Sequence, residues 1–180
     1  MDIWEYINFD KATRENRENA ALWMLDNSEE LQQLINSLNS DLNERAVKSA
    51  YVLELVAVKN LKVLKPYMPQ IAQQISQFKS DSIQRSLLHI MKLWLCSPKA
   101  LNAMDDELID TLTQHCFDKL IQQPWAAVAV MAHAMSCLHY LSARSKWVKE
   151  PLVDILIKNM PNQSPGYRAR AKHIIQELNR

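Results

Sequence analysis

The side chains that could do chemistry are few and scattered. His133, Cys137 and His139 form the string most like a metal site. Residues 133 and 137 would lie one helical turn apart on a shared face, a spacing that suits two zinc ligands. Residue 139 would point elsewhere, and no acidic third ligand lies nearby in sequence. The expectation is therefore a packed, alanine-rich helix with a core cysteine and two hydrogen-bonded histidines, with no metal and no other cofactor. His115 and Cys116 place a base beside a nucleophile in sequence. Neighbours on a helix point about 100° apart, so the two do not meet. Asp105, Asp106 and Glu107 could hold a cation, but at a helix start they serve as cap and as complement to the helix dipole. No residue is assigned a catalytic role.

Glu54 is more informative. It sits among Leu53, Leu55 and Val56, where a carboxylate needs a partner because burying an unpaired charge is costly. Lys48, Arg45 and Arg85 are the candidates, and a structural ion pair between helical repeats is the expected arrangement. A ligand-facing carboxylate in a groove is the other. The stretch from Tyr167 to Leu178 poses a similar choice, because Arg168, Arg170, Lys172 and His173 fall within six residues. On a helical wheel Tyr167, Ala171, Ile174, Ile175 and Leu178 form one apolar stripe. Arg168 and Arg170 flank it, while Lys172, His173, Gln176 and Glu177 face away. This pattern describes the wet side of one helix, with arginine stems along the stripe and their charges in water.

The elements that position these groups are helical. The chain has 180 residues and one glycine, Gly166. Hairpin turns, dinucleotide-binding loops and P-loops need glycines, often several together, so all three are disfavoured. Helix-favouring alanine, leucine, glutamine and lysine are plentiful. Helices are predicted over about 11–26, 28–38, 42–58, 66–78, 82–96, 105–122, 125–142, 146–160 and 165–178, with a short one near 2–8. Ser28 and Asp41 are read as N-caps, the latter with Glu44 at capping-box spacing. The linkers are short, so neighbouring helices must run antiparallel. Helix 42–58 is apolar nearly all round and needs neighbours on several sides.

The chain also repeats. Arg45-Ala-Val-Lys-Ser-Ala aligns with Arg85-Ser-Leu-Leu-His-Ile at an offset of 40, and Val128-Ala-Val-Met-Ala-His aligns with Arg168-Ala-Arg-Ala-Lys-His at the same offset. Such a step suits two-helix repeats of HEAT or armadillo type. The predicted fold is all-α, one domain over 1–180, a HEAT/armadillo-like superhelix of antiparallel helix pairs. A plain helical bundle is the competing architecture. In a stack, the last layer keeps one wet face.

Two segments resemble a known family. Asn162-Gln-Ser-Pro-Gly-Tyr-Arg-Ala-Arg-Ala-Lys-His173 and Lys48-Ser-Ala-Tyr-Val-Leu-Glu-Leu-Val-Ala-Val-Lys-Asn-Leu61, with Pro66 following, are similar to segments of small bacterial HEAT-like helical-repeat proteins. The resemblance extends over most of the chain and is weaker between 80 and 125. It implies the repeat fold and brings no functional residues, because no activity is established for that family. Its members often carry the label adenylosuccinate lyase. Those lyases are longer and use a Met-Pro-x-Lys-x-Asn-Pro signature beside a catalytic serine. The nearest string here, Pro66-Tyr67-Met68-Pro69, lacks the Ser, Lys and Asn.

Charge narrows the partners. The net charge is +1, which gives no global attraction to a polyanion. Residues 1–45 nevertheless hold ten acidic side chains against four basic, and residues 142–180 hold eight basic against three acidic. An electrical dipole along the molecule is one consequence. Arg85, Trp94, Trp125, Arg168 and Arg170 could mimic the concave face of DNA glycosylases built from HEAT-like repeats, but binding phosphates requires stronger positive potential. The expected function is a non-enzymatic scaffold for a protein or peptide partner, with Arg168, Arg170, Lys172, Glu54 and Arg85 as candidate contacts and nucleic acid as the alternative. The first residues have no basic leader and no long apolar run. The longest apolar run, 125–132, is too short to span a membrane. Three well-separated cysteines read as reduced thiols, and the expected location is cytoplasmic.

Overall fold

The computed structural model describes residues 2–39, 43–122 and 124–179, and no strand occurs among them. The predicted cap at Asp41 lies outside the described residues. The chain forms two compact units, Met1–Leu93 and Trp94–Arg180. Among the described residues no helix is long and apolar enough to cross a membrane.

The first unit contains α1 (Trp4–Ile7), α2 (Arg14–Asp26), α3 (Leu31–Asn36), α4 (Asn43–Asn60), α5 (Met68–Gln74) and most of α6 (Asp81–Leu95). Thr13 starts α2, its side chain accepting the Asn16 N–H at 3.2 Å. The segment predicted as one helix over 28–38 is composite: α3 is flanked by 3-10 turns at Ser28–Glu30 and Ser37–Asn39. Ser28 does not cap it. The cap position is Asn27, which makes no side-chain cap bond. Buried Leu31, Leu34, Ile35 and Leu38 need only one apolar edge, which tightened turns present as well as a regular helix does.

The predicted 66–78 helix is likewise shortened to α5, with 3-10 turns at Leu61–Tyr67 and Ile75–Gln77. Pro66 lies inside the first turn and has no N–H to give. Buried Gln84 closes the second, its Nε2 donating to Ile75 O at 2.7 Å and Phe78 O at 2.6 Å. One amide thereby satisfies two carbonyls where a helix runs out. α4 packs against α1, α2 and α3, as its all-round apolar surface requires. Ala46, Ala50, Val52, Leu53, Val56 and Ala57 are buried on it.

The second unit contains the last two residues of α6, then α7 (Pro98–Asn102), α8 (Asp106–Ile121), α9 (Val128–Leu141), α10 (Lys149–Asn159) and α11 (Pro165–Leu178). α7 is a helix where the sequence reading placed only a break. Ser97 caps it, accepting the Ala100 N–H, and Pro98 stands at its first position. Asp105 caps α8 as expected, accepting the Leu108 N–H at 2.7 Å, and Ser164 caps α11. α9 packs against both α8 and α11, and α10 touches all three. Buried Asn159 donates to Leu120 O at 2.9 Å and to the Tyr167 hydroxyl at 3.3 Å, tying the end of α8 to α11 through α10.

Candidate functional site

α4 and α6 bring four polar side chains together inside the first unit. Glu54 is 8% exposed. Arg85 donates to both of its oxygens, from Nη1 at 3.2 Å and Nη2 at 2.9 Å, a bidentate pair. Buried Ser86 donates to Oε2 at 2.7 Å, and His89 Nδ1 lies 2.8 Å from Oε1. The ionised carboxylate only accepts, so Nδ1 carries the hydrogen in that contact. Burial pushes the Glu54 pKa up, but the bonds from His89 and Ser86 and the charge of Arg85 outweigh it and hold the carboxyl at about 2. Glu54 is thus an anion throughout the neutral range.

Aromatic rings extend this cluster. The Arg17 and Arg85 guanidiniums each lie 5.4 Å from the centre of the Tyr51 ring. Arg17, Arg14, Glu18, Glu54, Leu55, Val58 and Lys59 line a groove of about 360 Å³ beside it. Ser, His and Glu in contact invite comparison with a hydrolytic triad, but the order is wrong. In a triad the imidazole stands between hydroxyl and carboxylate and takes the hydroxyl proton. Here the carboxylate stands between the other two, and the Ser86 proton is spent on Glu54. The arrangement fixes α6 to α4 and supplies no activated nucleophile.

Of the three partners expected for Glu54, the structure selects Arg85. Lys48 bonds Asn8 at 2.8 Å and Glu44 at 2.6 Å, and Arg45 lies over Trp4 at 4.9 Å. Sequence reasoning missed Ser86 and His89. The signal was present: His89 is four residues beyond Arg85 and shares its helix face.

Arg168, Arg170 and Lys172 belong to the second unit and the Glu54 cluster to the first, and all three cations are exposed on α11. Tyr167, Ala171 and Ile174 of the same helix are buried, which is the predicted stripe. Ile175 and Leu178, placed on that stripe by the wheel, are half-buried at its margin.

The remaining candidates sit in the α8–α9 layer. His115 and Cys116 are both buried. Burial, with a smaller contribution from Lys119, lowers the His115 pKa to about 4, so the ring is neutral at pH 7. Cys116 and Cys137 are free thiols that hydrogen-bond each other, and that contact together with burial raises the Cys116 pKa well above the usual thiol range. A thiol so protected is a poor nucleophile. Cys137 is therefore occupied by Cys116, while His133 and His139 are half-buried. Among the described residues no group of three His, Cys, Asp or Glu side chains could hold a metal ion. Arg85 is committed to Glu54 and Trp94 is 8% exposed, so neither is presented to a nucleobase. Comparison of the chain with models of known families, with curated proteins and with solved structures finds no match.

Proposed function

We propose that the chain is a non-enzymatic HEAT-like scaffold, a stack of antiparallel helix pairs, that holds an acidic segment of a protein or peptide on the outer face of α11. The observation that carries this reading is the exposure of Arg168, Arg170 and Lys172 on a helix whose opposite stripe is buried. No ion pair among the described residues engages them. The offset of 40 supports the repeat architecture, because it relates α4 to α6 and α9 to α11. Solenoids distribute recognition over one helix from each pair. The polar groups best placed for catalysis, those around Glu54, are consumed in holding α6 to α4.

Anisotropy titrations with a labelled Asp/Glu-rich peptide and a labelled DNA duplex, each at low and high salt, test this function. The peptide is expected to bind at low salt and to weaken as salt screens the charges. Combined Arg168→Glu, Arg170→Glu and Lys172→Glu substitutions are expected to abolish capture without changing helicity. Salt-independent binding, an unaffected triple variant, or tighter binding of the duplex would each overturn the reading.

A further inference from the structure

We infer that a cavity of about 680 Å³ within the second unit is a binding site for a small amphiphilic monoanion, an apolar body ending in a carboxylate. Its volume lies inside the range of roughly 300–1,000 Å³ that small-molecule sites occupy. Leu95, Leu101 and Leu178 supply apolar wall. The charged lining is Arg144, Lys149 and Glu177; Arg144 is paired with Asp106 and Glu177 is itself engaged, which leaves Lys149 as the charge to be met by an anion.

The two cations play different parts. Arg144 is immobilised: Nη1 donates to Leu101 O at 2.9 Å and to Met104 O at 2.6 Å, and Nη2 to Asp106 at 2.7 Å. It forms a rigid wall with most of its donors used. Lys149 is exposed, and no ion pair among the described residues engages it, so it is the anchor for the carboxylate. A compact ammonium on a flexible stem suits that task.

His139 forms another part of the wall. Its Nδ1 is closed off from solvent and has no hydrogen-bond partner among the described residues, although the residue as a whole is only half-buried. The accessible part of the side chain is therefore elsewhere, and His139 lines the cavity. Charging the ring would place a proton on a nitrogen with no acceptor. Burial lowers its pKa accordingly, with Glu177 opposing and His173 reinforcing the shift. An imidazole that resists charging gives the apolar body a wall without a second full charge.

The cavity contains its own reporter. Cys96 lines it and is the exposed thiol, whereas Cys116 and Cys137 are buried. The test is the rate of Cys96 alkylation by iodoacetamide in the full chain, with and without laurate below its micelle concentration. 1-Dodecanol serves as the uncharged control. Laurate is expected to slow alkylation severalfold and dodecanol to do much less. Lys149→Glu should weaken laurate protection about tenfold. Ala143→Trp, at an exposed wall position, should remove protection while leaving the melting temperature unchanged. Labelling unaffected by laurate, equal protection by dodecanol, or undiminished protection in Ala143→Trp would overturn the assignment.

Discussion

At Glu54 three side chains of α6 converge on α4, because the carboxylate receives Arg85, Ser86 and His89 together. Its need for a partner was legible in the sequence, since a carboxylate stands alone in an apolar run. The partner's identity was also within reach. Arg45 is nine residues away on the same helix, about half a turn round the wheel, and points from the opposite face. Lys48, six residues away, is turned about 120° from Glu54, so a cation from another element is better placed, and Arg85 is the one whose helix arrives. Glu54→Gln is expected to lose up to about 3 kcal/mol, the equivalent of the pKa depression, discounted because Arg85 is partly solvated. A urea midpoint unchanged from the parent chain would show that the pair contributes nothing.

The same residue sets part of the acid response. Glu54 titrates lower in the folded chain, about 2 against 4.5, so its contribution is complete above pH 4.5 and fades as the pH falls toward 2. His115 is also depressed, about 4 against 6.5, so the unfolded chain binds the proton first and stability falls between pH 6.5 and 4. Urea midpoints against pH should therefore decline in two stages. His115→Gln is expected to flatten the upper stage, and Glu54→Gln the lower.

At the scale of elements, the long amphipathic helices were readable and the short irregular ones were not. α2, α4, α6, α8 and α11 match the predicted spans to within a few residues, because their apolar periodicity persists over three or more turns. The 28–38 and 66–78 segments break into 3-10 and α pieces, where a short apolar edge fits either geometry. α7 escaped because five residues carry too little periodicity, although Ser97-Pro98 is a helix-start signature. What holds α7 was invisible in sequence: Arg144 reaches back 43 positions to Leu101 O and 40 to Met104 O. Arg144→Met keeps the stem but strips the donors from those carbonyls, and a loss of about 1–3 kcal/mol is expected from urea unfolding. Arg144→Lys should recover only part of it, because one ammonium cannot reproduce the fork.

For the whole molecule, the charge asymmetry read from the two ends keeps its sign but is much smaller between the two units. The first unit has eleven basic and twelve acidic side chains, and the second has ten and eight. Cations between Arg45 and Lys92 offset the acidic start within its own unit. The split itself was not legible, since α6 runs through the boundary as one continuous helix and no linker composition marks it. It makes a prediction for cooperativity. In Glu54→Ala, hydrogen exchange followed by mass spectrometry should accelerate in peptides from 43–93 and remain near the parent rate in peptides from 106–178. Uniform acceleration would mean that both units open together.

The lone glycine has a consequence of a different kind. Gly166 lies within α11, and a methyl group added to it would meet Val128 and Ser164 at ordinary van der Waals distances of 3.8 and 3.9 Å. The backbone therefore asks for no residue that only glycine can be. Glycine is the amino acid that forfeits most freedom when a chain becomes ordered. With nearly every position already restricted by a side chain, the denatured ensemble begins narrower, and the entropy surrendered on collapse is smaller per residue than in a glycine-rich protein of equal length.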